Sequence, residues 1–204
     1  MKEKYYDKLL HIKTGGNQEF PNGFHYYRYE PTPYAALEQL FESYHITSNN
    51  RLVDFGCGKG RLNFFVHYLV QASVVGVEMN NTFYQNAQEN LQNYMRRNRV
   101  INGQIQFYHC LAEDYRVRPS DDSFYFFNPF SIQIFMKVVR NILKSFESAP
   151  RALNILLYYP SDDYIFFLEN ETPFELQAEV PLRDLSVHNP YERFAIYRLG
   201  NRNG

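Results

Sequence analysis

The sequence predicts an α/β domain with a mostly parallel sheet and helices on both faces. Strand patterns alternate with amphipathic helix patterns along most of the 204 residues, and this alternation favours parallel strands joined by helical crossovers. Three glycines at every second position, Gly56, Gly58 and Gly60, follow the first strand pattern. Near the end, two strand patterns succeed each other without a long helix, which favours an antiparallel hairpin at one edge of the sheet.

Four helices are predicted from apolar residues at helical spacing. Thr32 and Pro33 are typical of an N-cap followed by proline at the first helical position, so the first helix should begin there. The apolar positions of the four helices are, in chain order, Leu37, Leu40, Phe41 and Tyr44; Leu62, Phe65, Val66 and Leu69; Phe83, Tyr84, Ala87, Leu91, Tyr94 and Met95; and Phe135, Val138, Val139, Ile142, Leu143 and Phe146.

The strand patterns are short apolar runs, of which two end in an acid. In chain order they are the run that reaches Asp54, then 72–78, 104–109, 124–127, 153–159, 174–180 and 193–199. Within 174–180 the residues Phe174, Leu176, Ala178 and Val180 alternate with polar ones. This period of two predicts a strand that is buried on one face.

Composition restricts the class of protein. The length suits one globular domain, no apolar run reaches the ~18 residues of a membrane span, and residues 1–6 lack a signal-peptide stretch. Two cysteines, Cys57 and Cys110, show no metal-type spacing. We therefore expect a cytoplasmic protein with no metal and no membrane partner. The net charge of −1 predicts no global attraction to nucleic acid, although a local basic patch is not excluded.

The glycine loop predicts a nucleotide site between a strand and a helix, because glycine lets a ligand approach the backbone closely. A dinucleotide fingerprint requires G-x-G-x-x-G, but Arg61 occupies the third glycine position. A P-loop requires a hydroxyl residue after Gly-Lys, but Gly60 follows Lys59. The pattern that remains is D-x-G-x-G-x-G, which begins at Asp54.

This pattern resembles the first motif of class I S-adenosylmethionine-dependent methyltransferases. The resemblance implies a Rossmann-like methyltransferase fold, a seven-stranded sheet of order 3-2-1-4-5-7-6, and S-adenosylmethionine as the cofactor. It implies that Asp54 and the loop residues Gly56, Cys57, Gly58 and Gly60 hold the methionine part of that cofactor. A carboxylate at the strand end suits the cationic amino group of this part.

Two further acids fit the same resemblance. Glu78 ends the second strand pattern, twenty residues past Gly58, and an acid at that separation can accept hydrogen bonds from ribose hydroxyls. The resemblance also implies that Met79 lies beside the adenine. After the third strand pattern, it implies that Glu113 or Asp114 reaches the adenine amino group, and we favour Asp114.

The methyl acceptor is expected beyond the fourth strand, because ligands of open α/β sheets bind at the carboxyl ends of the strands. There, Asn128, Pro129 and Phe130 resemble part of the [ND]-P-P-[FY] motif of amino-group methyltransferases. In that family the amide oxygen accepts a hydrogen bond from a planar NH₂. Phe130 stands in place of the second proline and Ser131 in place of the ring, so nitrogen specificity is left open.

Two segments lie outside these motifs. Residues 1–31, which precede the domain expected at 32–204, form an N-terminal extension or a lid over the site. Their tyrosines are Tyr5, Tyr6, Tyr26, Tyr27 and Tyr29. A second Asn-Pro-aromatic sequence follows His188 near the C-terminus; His188 is either a base at the site or an ordinary polar loop residue.

The sequence therefore predicts a methyltransferase whose acceptor is unidentified, with an amino nitrogen as one candidate and nucleic acid not excluded. Two alternatives remain. A nicotinamide-dependent oxidoreductase is opposed by the position of the third glycine and by the absence of a Tyr-x-x-x-Lys pair. A non-catalytic module that binds S-adenosylmethionine would use the same pocket residues as an enzyme.

Overall fold

Seven strands form one sheet in the computed structural model, which describes residues 2–16, 30–98, 100–101, 103–183 and 189–200. The strands are β1 (Arg51–Phe55), β2 (Ser73–Glu78), β3 (Ile105–His109), β4 (Ser123–Phe126), β5 (Leu153–Tyr158), β6 (Glu175–Pro181) and β7 (Arg193–Leu199). Their order is β3-β2-β1-β4-β5-β7-β6. The first five strands pair in parallel, and β7 runs antiparallel to both β5 and β6. The predicted strand order and edge hairpin are confirmed.

Helices cover both faces of the sheet. The described helices are α1 (Lys2–Leu10), α2 (Tyr34–Ser43), α3 (Arg61–Val70), α4 (Asn81–Met95), α5 (Ile132–Ser148) and α6 (Asp162–Glu171), with a 3-10 helix at Ala112–Asp114. Neighbouring strand residues belong to separate cores: Leu52 packs in the cluster that includes α2, α3 and α4, while Val53 packs in the cluster of α5 and α6. Successive side chains of a strand point to opposite faces, so each core lies on one side.

The start of α2 differs from the prediction by one residue. Pro33 occupies the N-cap position with ψ of 138° and makes no capping hydrogen bond, and Glu3 Oε1 accepts from the backbone N–H of Tyr34 at 3.1 Å. The hydroxyl of Thr32 lies 2.7 Å from the hydroxyl of Tyr125 on β4 instead. Thr32 is therefore part of a buried contact between the N-terminal segment and the sheet, which a local capping pattern does not reveal.

The prediction that the strand at 174–180 buries one face is wrong for its central residues, Leu176 and Ala178. Leu176 is 43% exposed and Ala178 is also exposed, while Val180 is the one buried residue of β6. A register shift between Leu176 and Ala178 interrupts the pairing with β7. Because β6 is an edge strand with a bulge, its alternation does not correspond to a covered face.

Helices α1 and α6 are absent from the sequence prediction, although α6 buries Tyr164, Phe167 and Leu168 at helical spacing. In α1, Leu10 is the one buried residue. In α6, the apolar residues form the continuous run 164–168, and a short continuous run does not distinguish a helix from a strand.

Asn90 of α4 fastens the N-terminal segment to the glycine loop. Its Oδ1 accepts from the backbone N–H of Lys13 at 2.8 Å, and its Nδ2 donates to the carbonyl oxygens of Lys13 at 3.2 Å and Lys59 at 3.0 Å. We expect Asn90→Ala to lower the free energy of unfolding by about 1–3 kcal/mol, because buried backbone groups lose their partners. Urea denaturation measures this change. The exposed Gln92→Ala variant of the same helix is the control, and equal stabilities of the two variants would contradict the role of Asn90.

Candidate functional site

A cavity lies where the parallel strands β1, β2 and β4 end. Its lining residues are Glu30, Pro31, Thr32, Asp54, Gly56, Cys57, Arg61, Leu62, Val77, Glu78, Met79, Phe83, Cys110, Ala112, Tyr125, Phe127, Pro129 and Phe130. The crossover from β1 leads to β2 on one side, whereas β4 pairs with β1 on the other. The cavity therefore occupies the point where the winding of the sheet reverses, which is where ligands bind in open α/β sheets.

Predicted residues from three separate strands meet in this cavity. Asp54, Gly56 and Cys57 reach it from the end of β1, and Glu78 and Met79 from the end of β2. Pro129 and Phe130 of the predicted acceptor motif line the same cavity after β4. The fold thus brings most of the predicted cofactor residues next to part of the predicted acceptor motif.

The glycine loop requires glycine for two reasons. Gly56, Gly58 and Gly60 have φ of 79°, 55° and 85°, a left-handed conformation that side chains disfavour. A Cβ on Gly56 would also lie 2.7 Å from Cβ of Pro129, and one on Gly60 would lie 2.7 Å from Cζ of Phe107. The loop therefore contacts the acceptor motif directly through Gly56.

Glu78 positions the loop from β2. Its Oε2 accepts from the backbone N–H of Gly58 at 2.9 Å, and its Oε1 accepts from the N–H of Asn80 at 2.7 Å. Burial raises the pKa of this carboxyl, while the N–H groups of Asn80 and Gly58 act in the opposite direction. Gly58 lies outside the cavity lining, so its link to the site is this hydrogen bond.

Asp54 is the most perturbed carboxyl of the cavity. Burial raises its pKa well above the ordinary value, and the nearby Glu78 carboxylate raises it further. A cation bound between the two acids would remove both effects, because it stabilises the ionised carboxylates. Burial likewise raises the pKa of the Cys57 thiol, and Asp54 and Glu78 add to the effect. The thiol therefore stays protonated and adds no charge to the cavity lining.

Glu113 and Asp114 lie in the 3-10 helix after β3 and line a neighbouring groove rather than this cavity. Glu113 is 3.5 Å from Nζ of Lys137 on α5, and Asp114 is exposed. Cys110 lines both spaces. The contact of Glu113 or Asp114 with an adenine amino group therefore stays a prediction.

Asn128 lies beside the cavity, in a second pocket that it shares with Tyr159, Asp162 and Tyr191. Asn128 and Tyr159 follow β4 and β5, with φ of 38° and 50°, and such left-handed residues cluster at functional sites. The Oδ1 atom of Asn128 is buried and accepts no hydrogen bond from any described residue. A buried acceptor without a donor is unusual in proteins, and among the described residues the amide of Asn63 on α3 shares this feature.

The sequence prediction missed the cavity walls that come from the N-terminal segment. Glu30, Pro31 and Thr32 line the cavity, together with Arg61 at the start of α3. Arg61 follows the glycine loop directly, which is a signal that could have identified it. The predicted lid tyrosines Tyr26, Tyr27 and Tyr29, like the loop residue His188, are outside the described residues.

Asn189, which follows His188, donates from Nδ2 to the hydroxyl of Tyr159 at 2.9 Å. Within the described ranges, no group of His, Cys, Asp and Glu side chains is arranged to hold a metal ion. No helix in those ranges combines the length and apolar character that crossing a membrane requires.

Comparison with known proteins agrees with this geometry. Residues 33–126 match the family model described as "Methyltransferase domain". The predicted resemblance to class I methyltransferases is confirmed. No curated protein sequence matches the chain.

Solved structures of methyltransferases share the fold at low sequence identity. A Pyrococcus horikoshii protein provisionally named an RNA methyltransferase is 18% identical with a TM-score of 0.60, and the match covers 98% of each chain. An RNA methyltransferase from Salinibacter ruber, in complex with S-adenosyl-L-homocysteine, is 16% identical with a TM-score of 0.54 over 83% of this chain and 92% of that one. Phosphoethanolamine N-methyltransferase 1 from Haemonchus contortus is 13% identical with a TM-score of 0.61, over 83% of this chain and 43% of that one.

Proposed function

We propose that this chain is an S-adenosylmethionine-dependent methyltransferase that transfers the methyl group to an amino nitrogen. One observation carries the proposal. The cavity joins the acids at the ends of β1 and β2 to Pro129 and Phe130 after β4. In the pocket beside it, the buried Oδ1 of Asn128 accepts no hydrogen bond from a described residue. This arrangement supports a cofactor site and an acceptor site in direct contact.

The residues present fit the cofactor. The cavity is lined by apolar side chains and by a few polar groups that converge on it, as is usual for small-molecule sites. Asp54 suits the ammonium of the methionine part, and the bare backbone at Gly56 allows that part to approach closely. Each carboxylate oxygen of Glu78 accepts one backbone hydrogen bond and retains capacity for a ribose hydroxyl. Met79, which is 37% exposed, offers an apolar surface for the adenine.

The protein's task in such a reaction is positioning. When bound, S-adenosylmethionine would supply an electrophilic methyl group: the nitrogen lone pair forms the new C–N bond, the C–S bond breaks with its electron pair staying on sulfur, and the methylated nitrogen releases one proton to solvent. Pro129 and Phe130 would hold the acceptor against the cofactor site and exclude water. Oδ1 of Asn128 would accept an N–H of the acceptor and direct the lone pair. Alignment of reacting atoms lowers a barrier by ~7–11 kcal/mol.

The class of acceptor is a separate question. Tyr159 and Tyr191 have ring centroids 5.8 Å apart beside Asn128, and aromatic surfaces of this kind suit a flat acceptor group. RNA methyltransferases are among the proteins that share the fold, so a nucleobase amino group is one candidate. A small amine is another, since a phosphoethanolamine N-methyltransferase shares the fold as well.

Asn128→Gly isolates the contribution of the amide. Glycine tolerates the φ of 38° at this position, so the backbone should be unaffected while the amide is lost. We expect affinity for S-adenosylhomocysteine to stay unchanged and turnover to fall on the order of 100-fold, the usual cost of a misplaced reacting group. Steady-state kinetics and calorimetry measure the two quantities. Unchanged turnover would remove Asn128 from the acceptor site.

Calorimetry with S-adenosylmethionine, S-adenosylhomocysteine and NAD tests the cofactor, and methyl incorporation into RNA, peptides and small amines tests the acceptor. We expect binding of the first two compounds and methylation of one nitrogen-bearing class. Binding of NAD alone would favour the oxidoreductase. Binding of S-adenosylmethionine without methylation of any class would favour the non-catalytic module.

A further inference from the structure

Acidic side chains outnumber basic ones around the cavity. Glu30, Asp54 and Glu78 line it, and Arg61 is the one lysine or arginine among the described residues that do so. The cofactor of the proposed function carries a carboxylate as well as an ammonium on its methionine part. A carboxylate placed among acids in a poorly solvated cavity requires a nearby cation, because charge repulsion is strong where water is scarce.

Arg61 has donors left for such a ligand. It is 5% exposed and begins α3 directly after Gly60. Its Nε donates to Oγ1 of Thr14 at 2.8 Å, and its Nη1 donates to the carbonyl oxygen of Thr32 at 3.2 Å and to the carboxylate of Glu3. A guanidinium has five N–H groups. No described residue accepts a hydrogen bond from Nη2, which leaves two of the five for a bound anion.

We propose that Arg61 binds the carboxylate of the cofactor's methionine part through Nη2, an assignment that rests on the proposed function. Asp54 and Arg61 then divide the two charges of that part, with the ammonium on Asp54 and the carboxylate on Arg61. Arginine suits this task because its guanidinium stays charged when buried and can offer Nη2 to a carboxylate while its other donors are engaged.

The N-terminal segment holds Arg61 in place. The partners Glu3, Thr14 and Thr32 all precede the sheet, and the ring of Tyr34 lies 4.6 Å from Cζ of Arg61. Asp7 of α1 braces these partners by accepting from the N–H and hydroxyl of Thr14 and from the hydroxyl of Tyr34. Helix α1 and Thr14 therefore support the cofactor site through Arg61, while Glu30, Pro31 and Thr32 line the cavity directly.

The test compares two ligands that differ by one carboxylate. These are S-adenosylhomocysteine and its decarboxylated analogue, which keeps the amine, the thioether and the adenosine. Calorimetry with the wild-type protein should show at least about tenfold tighter binding of S-adenosylhomocysteine, the effect of one charge-assisted hydrogen bond. Arg61→Gln should bind both ligands equally, with the wild-type affinity for the analogue.

Lys59→Gln is the matched control. Lys59 lies in the same loop and donates to the carbonyl oxygen of Gly15 at 3.0 Å, but it does not line the cavity. This variant should keep the wild-type preference for S-adenosylhomocysteine. Arg61→Lys, which keeps the charge and loses the Nη2 fork, is the second variant in case Arg61→Gln does not fold, and its preference should be smaller than that of the wild type.

The outcomes separate the assignment from the proposed function. If Arg61→Gln weakens both ligands by the same factor, or if Arg61→Lys leaves the preference unchanged, Arg61 has only a structural role and the assignment is overturned. Equal binding of the two ligands by the wild type overturns it as well. If the wild type binds neither ligand, the proposed function itself fails.

Discussion

Asp54→Asn should abolish measurable binding of S-adenosylmethionine. The variant keeps the size of the side chain but removes the charge that would pair with the ammonium in a site where Asp54 is 5% exposed. Loss of one partner from a buried ion pair costs about 3–5 kcal/mol, which is more than a hundredfold in affinity. Isothermal calorimetry measures the effect, and an affinity within a few-fold of the wild type would exclude Asp54 from the site.

The pH dependence follows from the raised pKa of Asp54. Because the neutral acid cannot pair with an ammonium, affinity should increase as pH rises through that pKa. The cofactor-free protein should behave in the opposite way. Its folded-state pKa lies above the unfolded value, so the stability contributed by the protonated acid is present at low pH and is lost as pH rises through the folded pKa. Asp54→Asn should therefore raise the Tm of the cofactor-free protein at neutral pH.

Asp122→Asn is the matched control for this charge removal. Asp122 has a pKa that burial also raises, and it accepts from the backbone N–H of Arg51 at 3.1 Å. It lies at the amino end of β4, whereas the cavity is at the carboxyl ends. The control should leave cofactor affinity unchanged, so an equal loss in both variants would indicate a general effect on the fold.

Gly56→Ala should destabilise the protein and remove both binding and turnover. The substitution forces a side chain into φ of 79° and places a Cβ 2.7 Å from Cβ of Pro129. The left-handed conformation costs about 1–2 kcal/mol and the overpacking about 1–3 kcal/mol. The clash is relieved only if the loop or the acceptor motif moves, so cofactor affinity and methyl transfer should fall together. Urea denaturation, calorimetry and a turnover assay measure the three effects.

Gly15→Ala is the corresponding control. A Cβ at Gly15 meets nothing within 4 Å, and its φ is outside the left-handed region. This variant should retain stability, binding and turnover. Wild-type behaviour of Gly56→Ala would show that the loop and Pro129 are not tightly packed in solution.

The central part of the fold was predictable because its signals are local. Strands β1, β2, β4 and β5 are buried on both faces, so each is a short apolar run bounded by turns. The edge strand β6 was misread in part, since its alternation is interrupted by the bulge at Leu176. Helix α1 gave a weak signal because Leu10 is its one buried residue, and in α6 the buried stripe of Tyr164, Phe167 and Leu168 is obscured by a continuous apolar run.

The order of the strands within the sheet was implied by the family resemblance. The sequence by itself determined the succession of the central strands along the chain, the bend at Gly56, Gly58 and Gly60, and the acids at the ends of β1 and β2. These follow from residue spacing along one stretch of chain. Only the tertiary structure decided that Arg61 meets Glu3 and that Asn128 lies in a pocket beside the cavity while Pro129 lines it. Such contacts depend on backbone direction and on packing between residues far apart in the chain, and neither leaves a periodic signature in the sequence.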